Sequence, residues 1–96
     1  MNLGMPVIDI DKLSDNSPDL GKPVQVILFD DEVHEMTEVE DQIVKAIHCT
    51  ASKAQDIMLT AHNQGRAVVW VGHRERAEHI AAVLEEISLG VKLEEV

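Results

Sequence analysis

The residues of this 96-residue chain that could do chemistry are crowded into one stretch. Between positions 30 and 42, Asp30, Asp31, Glu32, Glu35, Glu38, Glu40 and Asp41 supply seven acids with no Lys or Arg among them. Carboxylates this dense need a cationic partner, and three are open. The first is water and counterions on a solvated face that also favours a helix N-terminus. The second is a divalent metal held by Asp31, Glu32 and His34, although the regular oxygen pattern and central Gly of an EF-hand loop are missing. The third is an organic cation such as an amine.

Two kinds of neighbour could complete such a site. His62 lies on the same helical side as Met58, and Met36 closes the acidic run. A lone histidine in this position is more often a packed or surface residue than a ligand, and flexible thioethers usually fill cores, although they also line adaptable pockets. These residues gain meaning only where a fold brings them beside the acids. Nucleophilic catalysis has little support. Cys49 follows His48, but neighbours at a helix end diverge by about 100°. There is no G-x-S-x-G elbow, phosphate-cradling glycine loop, C-x-x-C or H-x-x-x-H. No catalytic residue or cofactor is therefore expected, and a metal only in the alternative in which Asp31, Glu32 and His34 hold it.

The elements that must position these residues follow from periodicity. Val24 to Phe29 is a β-branched run of strand length that ends abruptly in acid, so Asp30 to Glu35 reads as a loop. Thr37-Glu38-Val39-Glu40 reads as a capping box opening a helix from about residue 38 to 47, with Val39, Ile43, Ala46 and Ile47 inward. A second capping signal, Ser52-Lys53-Ala54-Gln55, opens a helix with Ala54, Ile57, Met58 and Ala61 inward, stopped by a left-handed Gly65. Ala67 to Val71 is apolar on both faces, which predicts a central strand. Arg74 to Leu89 is periodic with Ala77, Ile80, Ala81, Leu84 and Ile87 inward, ended by Gly90. Val91 to Val96 alternates and is a third strand. The order β-α-α-β-α-β predicts an α+β domain in which a small three-stranded antiparallel sheet carries three helices on one face.

Composition bounds the rest. Asp and Glu number 18 against 8 Lys and Arg, giving a net charge of −10. That excludes the basic stripe that nucleic-acid binding needs and disfavours an anionic membrane surface. Aromatic residues are limited to Phe29 and Trp70, so the core is aliphatic. One cysteine, Cys49, excludes an intrachain disulfide and fits a reducing compartment. No apolar run approaches the roughly 18 residues of a membrane span, and Met1-Asn2-Leu3-Gly4 lacks a basic signal region. A soluble intracellular protein is expected. Residues 1–22 hold too few apolar groups to offset ordering entropy and are expected to be a flexible tail before a domain at 23–96.

Set in order, the motifs resemble a known family. Val26-Ile27-Leu28-Phe29-Asp30-Asp31-Glu32-Val33-His34-Glu35-Met36 is similar to the V-I-L-L-N-D-D-Y-T-P-M segment of ClpS, the adaptor of the Clp protease. Ile57-Met58-Leu59-Thr60-Ala61-His62-Asn63-Gln64-Gly65-Arg66-Ala67-Val68 resembles the family's I-M-L-x-V-H-x-x-G-K-A-V. Glu75 and Ala77-Glu78 extend the match, which runs from about Lys22 onward. The resemblance implies a non-enzymatic adaptor that recognises a bulky hydrophobic N-terminal residue, an N-degron, and hands the protein to a Clp AAA+ unfoldase. It implies amine-site roles for Asp31 and His62, a gate at the pocket mouth for Met36, and wall positions at Val39, Met58 and Ala61. Glu75 matches a position used against the unfoldase, and the resemblance implies a cytoplasmic monomer, in a bacterial cytosol or a plastid stroma.

The departures are specific. Asp30 replaces the family's asparagine at the amine site, exchanging a donor and acceptor for an acceptor alone. Glu32 replaces the second aspartate, and His34 and Glu35 replace the Thr-Pro pair. Ala61 replaces valine, which predicts a roomier pocket. The family lysine on the third helix falls at Ile80. The segment after Leu89 is shorter, leaving Leu89 or Val91 to supply a last pocket residue. Two alternatives stay open: a protein-interaction module that docks on a chaperone without degron binding, and a metal-binding domain built on the acidic loop and His34.

Overall fold

A computed structural model describes residues 21–96. Of the tail expected at 1–22, residues 1–20 lie outside the described residues. Strand β1 (Val24–Phe29) leads through the acidic loop to α1 (Met36–Ile47) and α2 (Ala51–Gln64). Strand β2 (Arg66–Gly72), α3 (Arg74–Glu85) and β3 (Val91–Glu95) complete the chain in the expected order. The three strands form one antiparallel sheet in the order β2-β1-β3. Helices α2 and α3 pack on it, and α1 packs against both of them.

The apolar pattern explains this arrangement. Val24, Val26 and Leu28 of β1 enter one core cluster with Val39, Ile43 and Ala46 of α1, Ala54, Ile57, Met58 and Ala61 of α2, and Ala77, Ile80 and Leu84 of α3. Alternation along the strand turns these β1 residues to the helices and leaves Gln25, Ile27 and Phe29 on the other face. In β2, Val26 pairs with Trp70 but Ile27 with Val68, so Val69 is an inserted residue that bulges the strand. Gln42 is a polar residue inside this core, and its amide donates to the Val83 carbonyl at 2.6 Å, fastening α1 to α3.

Four boundary or position expectations are corrected. Strand β2 is an edge strand, with Val68 at 47% and Val71 at 49% exposure, and β1 is central. An apolar run reports burial of side chains, whereas centrality depends on having two partners. Helix α1 starts at Met36 with Glu35 as its N-cap and no side-chain cap, so Thr37 lies inside the first turn. The Glu35 carbonyl accepts from the N–H groups of Glu38 and Val39 and closes that turn without the hydroxyl. Helix α2 is capped by Thr50 rather than Ser52, because Thr50 Oγ1 accepts the Lys53 N–H at 3.1 Å. Helix α3 ends at Glu85; two tight turns follow, from Glu86 N–H to the Val83 carbonyl and from Ser88 N–H to the Glu85 carbonyl. Ser88, not Gly90, takes the left-handed φ of 66° there. Gly65 ends α2 as expected, with φ 91° and its N–H on the Ala61 carbonyl.

Candidate functional site

The end of β1 and the last turn of α2 are held side by side by one backbone bond, from the Asp30 N–H to the Gly65 carbonyl at 3.0 Å. Gly65 follows His62 by less than one helical turn, so this bond brings Asp30 beside the imidazole. His62 Nδ1 stands 3.4 Å from Asp30 Oδ1, with the histidine half exposed and the aspartate more enclosed. The neighbouring bond, from the Phe29 N–H to the Gly90 carbonyl at 3.0 Å, fixes the other side of the strand end.

Asp31 is committed differently. Its Oδ1 accepts the N–H groups of Val33 at 2.8 Å and His34 at 2.7 Å, which folds the acidic loop back on the carboxylate. Its Oδ2 meets His34 Nδ1 at 2.9 Å. A carboxylate only accepts, so Nδ1 carries the proton in this bond. The two side chains are 14% and 17% exposed. The bond from the His34 N–H, and with it those from Val33 and the His34 ring, holds the Asp31 carboxyl below its ordinary pKa against the opposing effect of burial. The same carboxylate raises the His34 pKa above its ordinary value, with further help from Glu38 and the Ile87 backbone.

Between these groups lies a cavity of about 300 Å³, at the small end of the range for small-molecule pockets. Asp30, Asp31, Glu32, His34 and His62 supply its polar side, and Met36, Val39, Met58 and Ala61 its apolar side. Nine of the ten residues expected around the ligand thus share one cavity. The tenth, Leu89, is 3% exposed within the core and is not among the lining residues, and Val91 packs against that core as well. The tight turns after α3 send this segment inward. Leu28 and Phe29 line the cavity too, a contribution that the strand signal hid because both residues read as sheet. Glu75 lies exposed in the first turn of α3, on another element. Among the described residues, no group of three or more His, Cys, Asp or Glu side chains is arranged to hold a metal ion. Nor is any helix there long and apolar enough to cross a membrane.

An anionic rim beside an apolar recess is suited to a small group that is cationic at one end and hydrophobic at the other. Comparison with known proteins gives this geometry a family. A family model described as the ATP-dependent Clp protease adaptor protein ClpS matches residues 20–90. The chain belongs to the ClpS family. It is 36% identical over 58 residues to the ATP-dependent Clp protease adapter protein ClpS of Nocardia farcinica. That match covers 60% of this chain and 55% of the other, so the chain spans about half the length of this curated relative. Its structure is similar to that of Agrobacterium tumefaciens ClpS2 bound to L-phenylalaninamide, with a TM-score of 0.74 and 25% identity. The superposition covers 78% of this ClpS-family chain and 98% of ClpS2, which agrees with the β-α-α-β-α-β fold.

Proposed function

We propose that this chain is an N-degron adaptor: it binds proteins through a bulky hydrophobic N-terminal residue and delivers them to a Clp AAA+ unfoldase. In this reading the substrate's α-ammonium meets Asp30, Asp31 and His62, with Glu32 and His34 adding to the anionic rim. The first side chain enters the recess between Met36, Val39, Met58 and Ala61. The observation that supports it most directly is the single cavity that joins acids to an apolar recess at the sequence positions matching the family motif. L-phenylalaninamide, the molecule bound by the related ClpS2, presents an α-ammonium, a benzyl group and a carboxamide, the same groups as an N-terminal phenylalanine.

The energetics suit a transient complex. A free α-amino group with a pKa of about 7.7–8.0 is mostly charged at neutral pH. Each charge-assisted hydrogen bond contributes about 1.5–3 kcal/mol, and burying a Leu or Phe side chain a similar amount. After the cost of association these terms give micromolar binding, which allows release to an unfoldase. An adaptor of this kind needs no catalytic group and works in the cytoplasm beside its protease. Glu75, exposed on α3, is the residue we assign to the unfoldase contact. Calorimetric titration with a peptide beginning in Phe and with its N-acetylated twin tests the reading. Binding of the free amine alone is expected; equal affinity for both, or for neither, would overturn it.

A further inference from the structure

The contact between His34 and Asp31 adds a titratable group to the amine site, and the consequence rests on the adaptor reading above. Asp31 uses both carboxylate oxygens within its own loop, one on two backbone N–H groups and the other on the His34 ring. Whether Asp31 faces a ligand as a net anion thus depends on the charge of the imidazole beside it. We propose that His34 is a proton-linked positioning residue: neutral, it orients Asp31 through Nδ1 and leaves the carboxylate its charge for an α-ammonium, and protonated, it cancels that charge. Ligand and proton then compete, although they occupy different atoms.

The surroundings of the ring support this linkage. Asp31 faces it from the loop, Glu38 from α1, and the Ile87 backbone from the turns after α3. Asp30, Glu32 and His62 line the same cavity. Among the groups acting on the ring, Asp31 and Glu38 are anionic, and no cation accompanies them. The imidazole therefore holds its proton to higher pH than an isolated histidine, inside the range where histidine acts as a switch. A bound α-ammonium supplies a cation beside Asp31 and drives that proton off. The ligand's own ionisation works in the opposite direction, since an amine is more fully charged at lower pH, and so cannot produce weaker binding in acid.

The test is a proton NMR titration of the His34 and His62 ring Cε1–H resonances, free and saturated with L-phenylalaninamide, alongside affinities at about pH 7 and about pH 5.5. The His34 midpoint is expected to move to lower pH on saturation. Affinity is expected to fall by about fivefold between the two conditions. The fall should shrink in H34Q, whose amide keeps a donor for Asp31 but cannot titrate. Binding with an unmoved His34 midpoint, or an undiminished fall in H34Q, overturns the linkage and leaves the adaptor reading intact. Absence of phenylalaninamide binding at both pH values overturns both.

Discussion

His62 Nδ1 stands 3.4 Å from Asp30 Oδ1, so the last turn of α2 and the end of β1 meet across one cavity. Two residues that share a ligand group lose less together than separately. With a Phe-initiated peptide as ligand, Asp30→Ala and His62→Ala are each expected to weaken binding. The double variant should lose less than the product of the two single losses. Fluorescence anisotropy with the three variants checks this, and multiplicative losses would assign the two residues to independent roles.

Asp31 combines two tasks that substitution can separate. Asn keeps an oxygen for the Val33 and His34 N–H groups while removing the charge and the acceptor for the His34 ring, whereas Ala removes all three. Asp31→Asn is expected to weaken amine binding about tenfold or more with a smaller fall in melting temperature than Asp31→Ala. Asp31→Ala should lose binding and also lower the melting temperature. Calorimetry paired with thermal melts distinguishes the two.

Ala61 is buried on the wall of the cavity. Restoring the two methyl groups with Ala61→Val narrows the recess beside Met58. Peptides beginning in Trp or Phe are expected to weaken about tenfold, and those beginning in Leu much less, because overpacking penalises the larger ring first. A competition series over N-terminal residues measures the ratio; an unchanged order of preference would remove Ala61 from the specificity wall.

The start of α2 can be located by a pair of substitutions. Thr50→Ala removes the cap on the Lys53 N–H and is expected to cost about 1 kcal/mol, a melting shift of roughly 4–8 °C in a domain this size. Ser52→Ala, already inside the helix, should be close to neutral. Chemical denaturation of both variants gives the comparison.

Stability should also carry a signature of the Asp31–His34 pair. Asp31 has its folded pKa below the ordinary 3.8, so its contribution is present above that value and is lost as pH falls through the folded pKa. His34 has its folded pKa above the ordinary 6.5, so its contribution is full below 6.5 and is lost as pH rises through the folded pKa. The wild type is therefore expected to exceed H34Q in stability by more at about pH 5.5 than at about pH 8. Urea unfolding at the two values measures the difference, and an equal margin at both would disprove the linkage.

Much of the fold was legible locally. The β-branched run of β1, the stripes of α1, α2 and α3, and the stop at Gly65 depend on side-chain period and on one backbone conformation, which a short window records. The misjudged features were those with local look-alikes. Thr37 and Ser52 sit at capping spacing, but Glu35 and Thr50 precede them and start the helices first. The stripe of α3 runs on to Ile87, which packs against the core beyond the helix end.

The sequence by itself determined which residues could form the site, because the acids are contiguous and Met58, Ala61 and His62 share one helical side. Only the tertiary structure decided how they are used. Sheet order made β1 central and β2 an edge, since centrality depends on pairing along both sides of a strand. The bond from Asp30 to the Gly65 carbonyl carried the acidic run to His62, and the turns after α3 buried Leu89 away from the cavity. The acidic loop folded back on itself and tied Asp31 to His34. Distances across the chain depend on packing and backbone hydrogen bonding between elements, and residue type and spacing alone do not specify them.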